Sequence, residues 1–398
     1  MKQIILRSIK VFALFIFTIS LFSCENKSKK IVKVGLLHSL TGTMSISEIA
    51  VRDAEILAIN EINQAGGVLG CQIKIIEEDG KSNPKVFAEK AKKLLEEDEV
   101  ATIFGCWTSD SRKAVKPILE EDYGLLWYPV QYEGFEASPN IMYMGAAPNQ
   151  QVIPAIDYCI EHLGKKMYLI GNDYVFPHTA NEIIKAQLKK SGGVCLKETY
   201  VPMHELDFSK VIVEIKKLNP DVIINTLNGS SNQSFFAQLK YAGIDSSRIP
   251  VMSFSISESE VRTIGVEKLQ GHYVAWNYFE STPSAKNTRF VSEYKKTFGK
   301  NIPIGDPVEA AYIAVNLWAS ACTRAGTFDV EPVRIAAKGL SYIAPEGIVT
   351  IEGTNQHLYK IIRIGVINGK GQIEELQSSS APVRPDPYLS TYAWARGL

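Results

Sequence analysis

Ile31-Val32-Lys33-Val34-Gly35-Leu36-Leu37, together with the stretch from His38 to Phe104, decides the fold of this chain. The run is short, apolar and rich in β-branched residues, the pattern of a strand covered on both faces. Ile46 to Gln64 then changes period, placing Ala50, Ala54, Leu57, Ala58 and Ile62 on one side of a helix, which Ala65-Gly66-Gly67 stops. Cys71 to Glu77 predicts a second strand, Pro84 to Glu97 a second helix, and Ala101 to Phe104 a third strand whose end delivers Gly105 to Ser109. Strand and helix in strict alternation argue for a parallel sheet covered by helices.

Outward from that stretch, a second series starts after Pro148-Asn149-Gln150. It predicts a helix over 151–163, a strand over Lys166 to Ile170, a helix over Asn181 to Lys190 and a strand over Val194 to Tyr200. A helix over 208–218 comes next, then a strand over Val222 to Thr226 that ends at Asn228-Gly229-Ser230-Ser231. The architecture of the first half recurs without sequence repetition, so two similar lobes are expected. Glu309 to Ala325 reads as a long apolar-faced helix, and Gly347 to Glu352 with Leu358 to Ile367 as a late hairpin.

The 398 residues suffice for two cores, with 45% hydrophobic and 22% charged residues. At the N-terminus, Lys2, Arg7 and Lys10 precede an apolar run from Val11 to Phe22, short for a membrane span and suited to an export signal. The run ends in Leu21-Phe22-Ser23-Cys24, which resembles a lipobox, although Phe22 stands where a small residue is usual. Residues 1–23 are therefore expected to be a lipoprotein signal peptide, Cys24 the lipidated residue, and 24–30 a polar tether. Loss of the leader removes three basic residues and no acid, a mature balance of −3 that implies no nucleic-acid partner. Cys71, Cys106, Cys159, Cys195 and Cys322 show no metal-site spacing.

Three segments carry the chemistry: Gly105-Cys106-Trp107-Thr108-Ser109, Leu125 to Glu136 with its string Trp127-Tyr128-Pro129-Val130-Gln131-Tyr132-Glu133-Gly134, and Gly171-Asn172-Asp173-Tyr174-Val175-Phe176-Pro177. Each opens from an apolar strand into aromatic, hydroxyl and amide side chains, at the carboxyl ends where a doubly wound sheet binds ligand. Aromatic walls with a few hydrogen-bonding groups and no charged trap suit a small, neutral, polar ligand.

In these strings the chain resembles the urea-binding proteins of urea ABC transporters and, less closely, the bacterial amide-binding sensor and branched-chain amino acid binding proteins. The resemblance covers almost everything after the leader. It implies an α/β, two-lobed periplasmic-binding-protein-like I fold, each lobe a doubly wound, mostly parallel sheet flanked by helices, joined by a three-crossover hinge. Lobe 1 would comprise 31–149 plus 277–338, and lobe 2 150–276 plus 339–398, with the late hairpin on lobe 2. The implied role is extracytoplasmic: capture of urea or a similar small amide between the lobes and delivery to ABC permease subunits, from a lipid anchor in the periplasm or on the outer face of the cell membrane. No cofactor is implied.

Carried over residue by residue, Trp107 and Tyr128 would wall the cleft from lobe 1, Tyr174 and Phe176 would close it from lobe 2, and Ser109 would hydrogen-bond the ligand. The chain departs from the amide sensor at Val130-Gln131 and at Phe176. Urea has two amino groups where acetamide has one, and Gln131 offers the extra acceptor, unless it is a solvent-facing turn residue. Urea's four heavy atoms, at about −1.5 kcal/mol each, limit affinity to a dissociation constant on the order of tens of micromolar. Asn228, Ser230 and Ser231 read equally well as helix caps or ligand contacts, and Glu133 and Glu136 as structural. Cys106 would be the nucleophile of a competing amidase reading, but no histidine has the spacing of its base.

Overall fold

The computed structural model describes residues 30–398; the leader and Cys24 lie outside them. β1 (Lys30–His38), β2 (Cys71–Asp79), β3 (Ile103–Gly105), β4 (Leu126–Tyr128) and β5 (Ile141–Tyr143) form one sheet in the order β2-β1-β3-β4-β5. Every pair in it is parallel, with Gly35 opposite Ile103, Ile103 opposite Leu126 and Leu126 opposite Ile141. The apolar run of β1 is explained by burial on both sides. Val34 and Leu36 face the helix Asp306–Ala325 through Ala314, Leu317 and Trp318, whereas Leu37 shares a core with Phe87, Leu94, Val115 and Leu119.

β6 (Lys166–Asn172), β7 (Val194–Val201), β8 (Val222–Thr226), β9 (Val251–Ser253) and β10 (Tyr273–Trp276) form the parallel part of the second sheet. Ile170, Ile223 and Val251 pack against Ile215, Phe235 and Leu239 on one face; Leu169, Ile224 and Met252 pack against Ile156, Ile183 and Leu188 on the other. The strand run is therefore apolar without alternation, as parallel sheets require. One predicted helix starts earlier than expected, running Val175–Ser191, with Tyr174 at its N-cap position. Phe176 thus lies in the first helical turn and not on a loop.

The late segments differ from the expected hairpin. β11 (Ser341–Ala344), β12 (Gly347–Ile351) and β13 (Leu358–Tyr359) make a small antiparallel sheet of their own. Ala344, Val349, Ile351 and Leu358 join the core of the first lobe with Trp318 and Val333, so this part of the chain is not on lobe 2. Only β14 (Arg363–Ile367) and β15 (Ile373–Ser378) extend the second sheet, antiparallel from β10. The placement on lobe 2 is what the family resemblance implies, and alternation offers no check on it, because it indicates a half-buried strand without naming the core that buries it.

The chain passes between the lobes three times: near Gln150, at Asn277 and near Ile361. Asn277 joins all three, its Nδ2 donating to the carbonyls of Gln150 (3.2 Å) and Ile361 (2.8 Å). Asp306 receives the backbone N–H groups of Asn277 and Tyr278 at 3.0 and 2.9 Å. Arg363 donates from Nε to the Asn277 carbonyl.

Candidate functional site

Within each lobe the parallel strands end on the same side, and these two sides face one another across a closed seam. Thr43 and Ser230 share a hydroxyl contact of 2.8 Å, Ser47 donates to Glu260 at 2.8 Å, and Gln131 Nε2 donates to the Phe254 carbonyl at 2.8 Å, each bond joining one lobe to the other.

The turn after β3 is built to present Trp107. Gly105 has φ +141°, and a Cβ there would lie 2.1 Å from the Leu37 carbonyl oxygen, so glycine is required. Cys106, at φ +62°, sits in the left-handed region that non-glycine residues seldom occupy. Thr108 then caps the helix Ser109–Glu121 by accepting from Ser111 N, which fixes the direction of Trp107. Trp107 Nε1 donates to Asn228 Oδ1 at 3.4 Å, while Asn228 Nδ2 donates to the Tyr174 hydroxyl at 2.9 Å. One carboxamide thereby links the indole of lobe 1 to the phenol of lobe 2. Its own backbone N–H is held by Asn172 Oδ1 at 2.7 Å.

The remaining expected residues divide. Tyr128 is fully buried and donates its hydroxyl to the Trp107 carbonyl, so it positions the indole. Val130 packs in the same core as Trp107 and Tyr128, whereas Phe176 packs with Ile156, Ile183 and Leu188 in the second lobe. Tyr174 is half-buried, with its ring centroid 6.3 Å from that of Phe176. Gln131 is only 4% exposed, which removes the solvent-facing alternative. Its NH2 end must face the Phe254 carbonyl, and this leaves Oε1 buried with no partner.

Behind Ser109 lies a group that sequence reading missed. Arg112, wholly buried, bonds Glu136 Oε1 through Nε (2.8 Å) and Glu133 Oε1 through NH2 (3.0 Å), and its NH1 reaches Ser109 Oγ at 3.1 Å. Ser109 in turn donates to Glu133. The guanidinium also lies 5.0 Å from the Tyr128 ring centroid and 4.7 Å from that of Tyr132. Burial alone would raise the Glu136 carboxyl, yet Arg112 and Lys113 hold it down to about 2. Arg112 follows Ser109 by three positions, one helical turn, and Glu133 and Glu136 are also three apart, a spacing that offered a weak signal. The cation is thus consumed by carboxylates and is not free to trap an anion.

On the other side of the turn, His38 lies between two buried glutamates, 2.9 Å from Glu55 and 3.5 Å from Glu48. Burial works against its charge, but Glu55 and Glu48 overcome this and raise it to about 9. Cys106 beside them is pushed upward, by burial first and then by Glu48, opposite to the shift a thiolate nucleophile needs. All five described cysteines are free thiols.

A family model described as periplasmic binding protein domain matches residues 32–393. The chain belongs to the periplasmic binding protein family. This periplasmic binding protein is 23% identical to Leu/Ile/Val-binding protein homolog 6 of Brucella melitensis, over 90% of this chain and 91% of that one. Its fold is similar to that of a solute binding protein of an ABC transporter from Rhodopseudomonas palustris in complex with 3,4-dihydroxybenzoic acid. The TM-score is 0.81 at 23% identity, covering 89% of this chain and 98% of that one. The isoleucine complex of a branched-chain amino acid transporter substrate binding protein from Streptococcus pneumoniae aligns with a TM-score of 0.77 at 20% identity, over 88% and 99% of the two chains. At these identities the likeness establishes the fold.

Proposed function

We propose that this periplasmic binding protein captures urea between its lobes outside the cytoplasm and presents it to an ABC permease. The observation that carries the reading is the Gln131 carboxamide: one end is anchored across the seam, and the other is a buried acceptor without a donor. A ligand with two amino groups supplies that donor and still has one for a second acceptor. Trp107, Tyr174 and Asn228 frame the site, Ser109, whose proton goes to Glu133 and which accepts from Arg112, keeps one lone pair as an acceptor, and Tyr128, Val130 and Phe176 hold the walls in place. Lipidation at Cys24 would anchor the protein to the membrane.

The relatives named for amino acids, and the neighbour bound to a hydroxybenzoate, supply a second reading: an organic anion as cargo. The pairing of Arg112 with Glu133 and Glu136 disfavours it, since a carboxylate here would need a free cation. Calorimetric titration of the leaderless protein, residues 26–398, with urea, acetamide, formamide and leucine tests the choice. Saturable urea binding weakened by Gln131→Ala supports the proposal; preference for acetamide or leucine, or absence of binding, overturns the urea assignment.

A further inference from the structure

The loop that carries Gln131 runs from Pro129 to Asn140 as neither helix nor strand, so its shape must come from what it packs against. At its start the packing is backbone on backbone: a Cβ at Gly145 would lie 2.0 Å from the Val130 carbonyl carbon and 2.3 Å from Gln131 N. Further on, the chain takes two successive left-handed residues, Gly134 at φ +80° and Phe135 at φ +55°. A bulky residue seldom occupies that region, and it stays there only where its surroundings hold it.

Those surroundings are the C-terminal segment. Phe135 N–H donates to the Pro387 carbonyl at 2.8 Å, and a Cβ at Gly134 would lie 2.5 Å from that same oxygen. The segment is itself tied on both sides of Pro387. Beyond β15 it returns to the first crossing, where the Asn149 carboxamide brackets it: Nδ2 donates to the Arg384 carbonyl and Oδ1 accepts from Asp386 N, both at 2.8 Å. Gln150 Nε2 donates to the Val383 carbonyl, also at 2.8 Å. Past Pro387, the Asp386 carboxylate accepts from the backbone N–H groups of Ser390 and Thr391 at 2.9 and 2.8 Å, and Leu389 and Ala395 enter the core of the second lobe with Ile156 and Ile183. Phe135 packs against that core as well. A residue of the first lobe's ligand loop is thus fixed by the first crossing and by the second lobe, through one stretch of chain.

We propose that this C-terminal strap, Val383 to Ala395, is the positioning element of the ligand loop: acting through Phe135, it sets where the Gln131 carboxamide lies before cargo arrives. A loop ordered in advance lowers the cost of binding, which matters most for a small ligand that makes few contacts. The inference rests on Gln131 facing the cargo, as proposed above, and not on the cargo being urea. Because the strap acts on the cargo only through the loop, loosening it is expected to separate affinity from global stability.

Hydrogen exchange of residues 129–137, read by mass spectrometry on the leaderless protein, tests the strap together with calorimetry using urea, acetamide, formamide and leucine. Asn149→Ala removes both bonds of the bracket, and Leu389→Ala loosens the far end. Each is expected to speed exchange in this loop about tenfold while β6 and β8 keep wild-type rates, and to weaken the titrant that the wild-type protein binds by about fivefold or more. Unchanged loop exchange in both variants overturns the proposal, as does faster exchange with unchanged affinity, which would make the strap purely structural. Faster exchange throughout the second lobe overturns it too, because the effect would then be general destabilisation. If the wild-type protein binds none of the four titrants, or Gln131→Ala binds as tightly as wild type, the reading of the cleft fails instead, and loop exchange alone decides the strap.

Discussion

The two ends of the Gln131 side chain have different tasks: Nε2 ties the lobes and Oε1 waits for a donor. Gln131→Ala removes both. Loss of a buried hydrogen bond of this kind costs roughly 1–3 kcal/mol, so titration is expected to show urea affinity reduced by about 5- to 150-fold. Asn228 differs, since it bridges Trp107 and Tyr174 and acts through them. Arg112 is structural in a stronger sense. Arg112→Met leaves Glu133 and Glu136 buried with only the partly exposed Lys113 as a cation, and denaturant unfolding is expected to show a loss of about 3–5 kcal/mol.

At the scale of elements, the turn from β3 into the helix Ser109–Glu121 decides where Trp107 points. Gly105→Ala sets a methyl group against the Leu37 carbonyl in a backbone conformation that L-residues seldom adopt. The expected outcome is a destabilisation of at least about 1–3 kcal/mol in denaturant melts, together with weakened urea binding as the indole shifts. Pattern reading found this turn because an apolar strand ends there in glycine. It missed the first two turns of the helix Val175–Ser191, since Val175-Phe176-Pro177 reads as loop when proline is taken as a breaker. Proline is tolerated in the first turn of a helix, where its absent N–H leaves no bond unmade.

For the whole molecule, a further cluster of buried charge lies at the crossings between the lobes, in addition to those of Arg112 and His38 in the first lobe. Asp306, Glu309 and Glu346 are all buried around Lys360 and Arg363, and Lys360 Nζ lies 2.9 Å from Glu346. Burial first, and then the neighbouring Glu346 carboxylate, raises Glu309 well above its ordinary value, so this group holds a proton in the folded state that it releases on unfolding. Stability is therefore lost as pH rises above the unfolded carboxylate range. His38 acts with the same sign: its raised folded value of about 9 contributes stability that is complete below about 6.5 and gone above 9. Glu136, held at about 2, contributes in the other direction, and its part is lost as pH falls from about 4.5. Thermal melts across pH are thus expected to peak in the mildly acidic range and decline towards alkaline pH. Glu309→Gln should flatten the alkaline decline without loss at acidic pH; an unchanged slope would show that Glu309 does not titrate there. Asn277→Ala, which unlinks the three crossings, is expected to lower the melting temperature at every pH.

Period and composition determined β1 to β4, β6 to β8, half of the helices and the two-lobed plan, because a parallel strand buried on both faces and a helix buried on one leave different periods in the chain. The three strings that end β3, β4 and β6 were legible for the same reason, as apolar runs that stop in polar and aromatic residues. Only the tertiary structure decided which core takes β11 to β13, that Arg112 is spent on Glu133 and Glu136, and that Asn277 gathers Gln150 and Ile361. These residues lie 21 to 127 positions apart where they meet. A local pattern records how much of a side chain is buried, whereas the partner it is buried against is set by the folded chain as a whole.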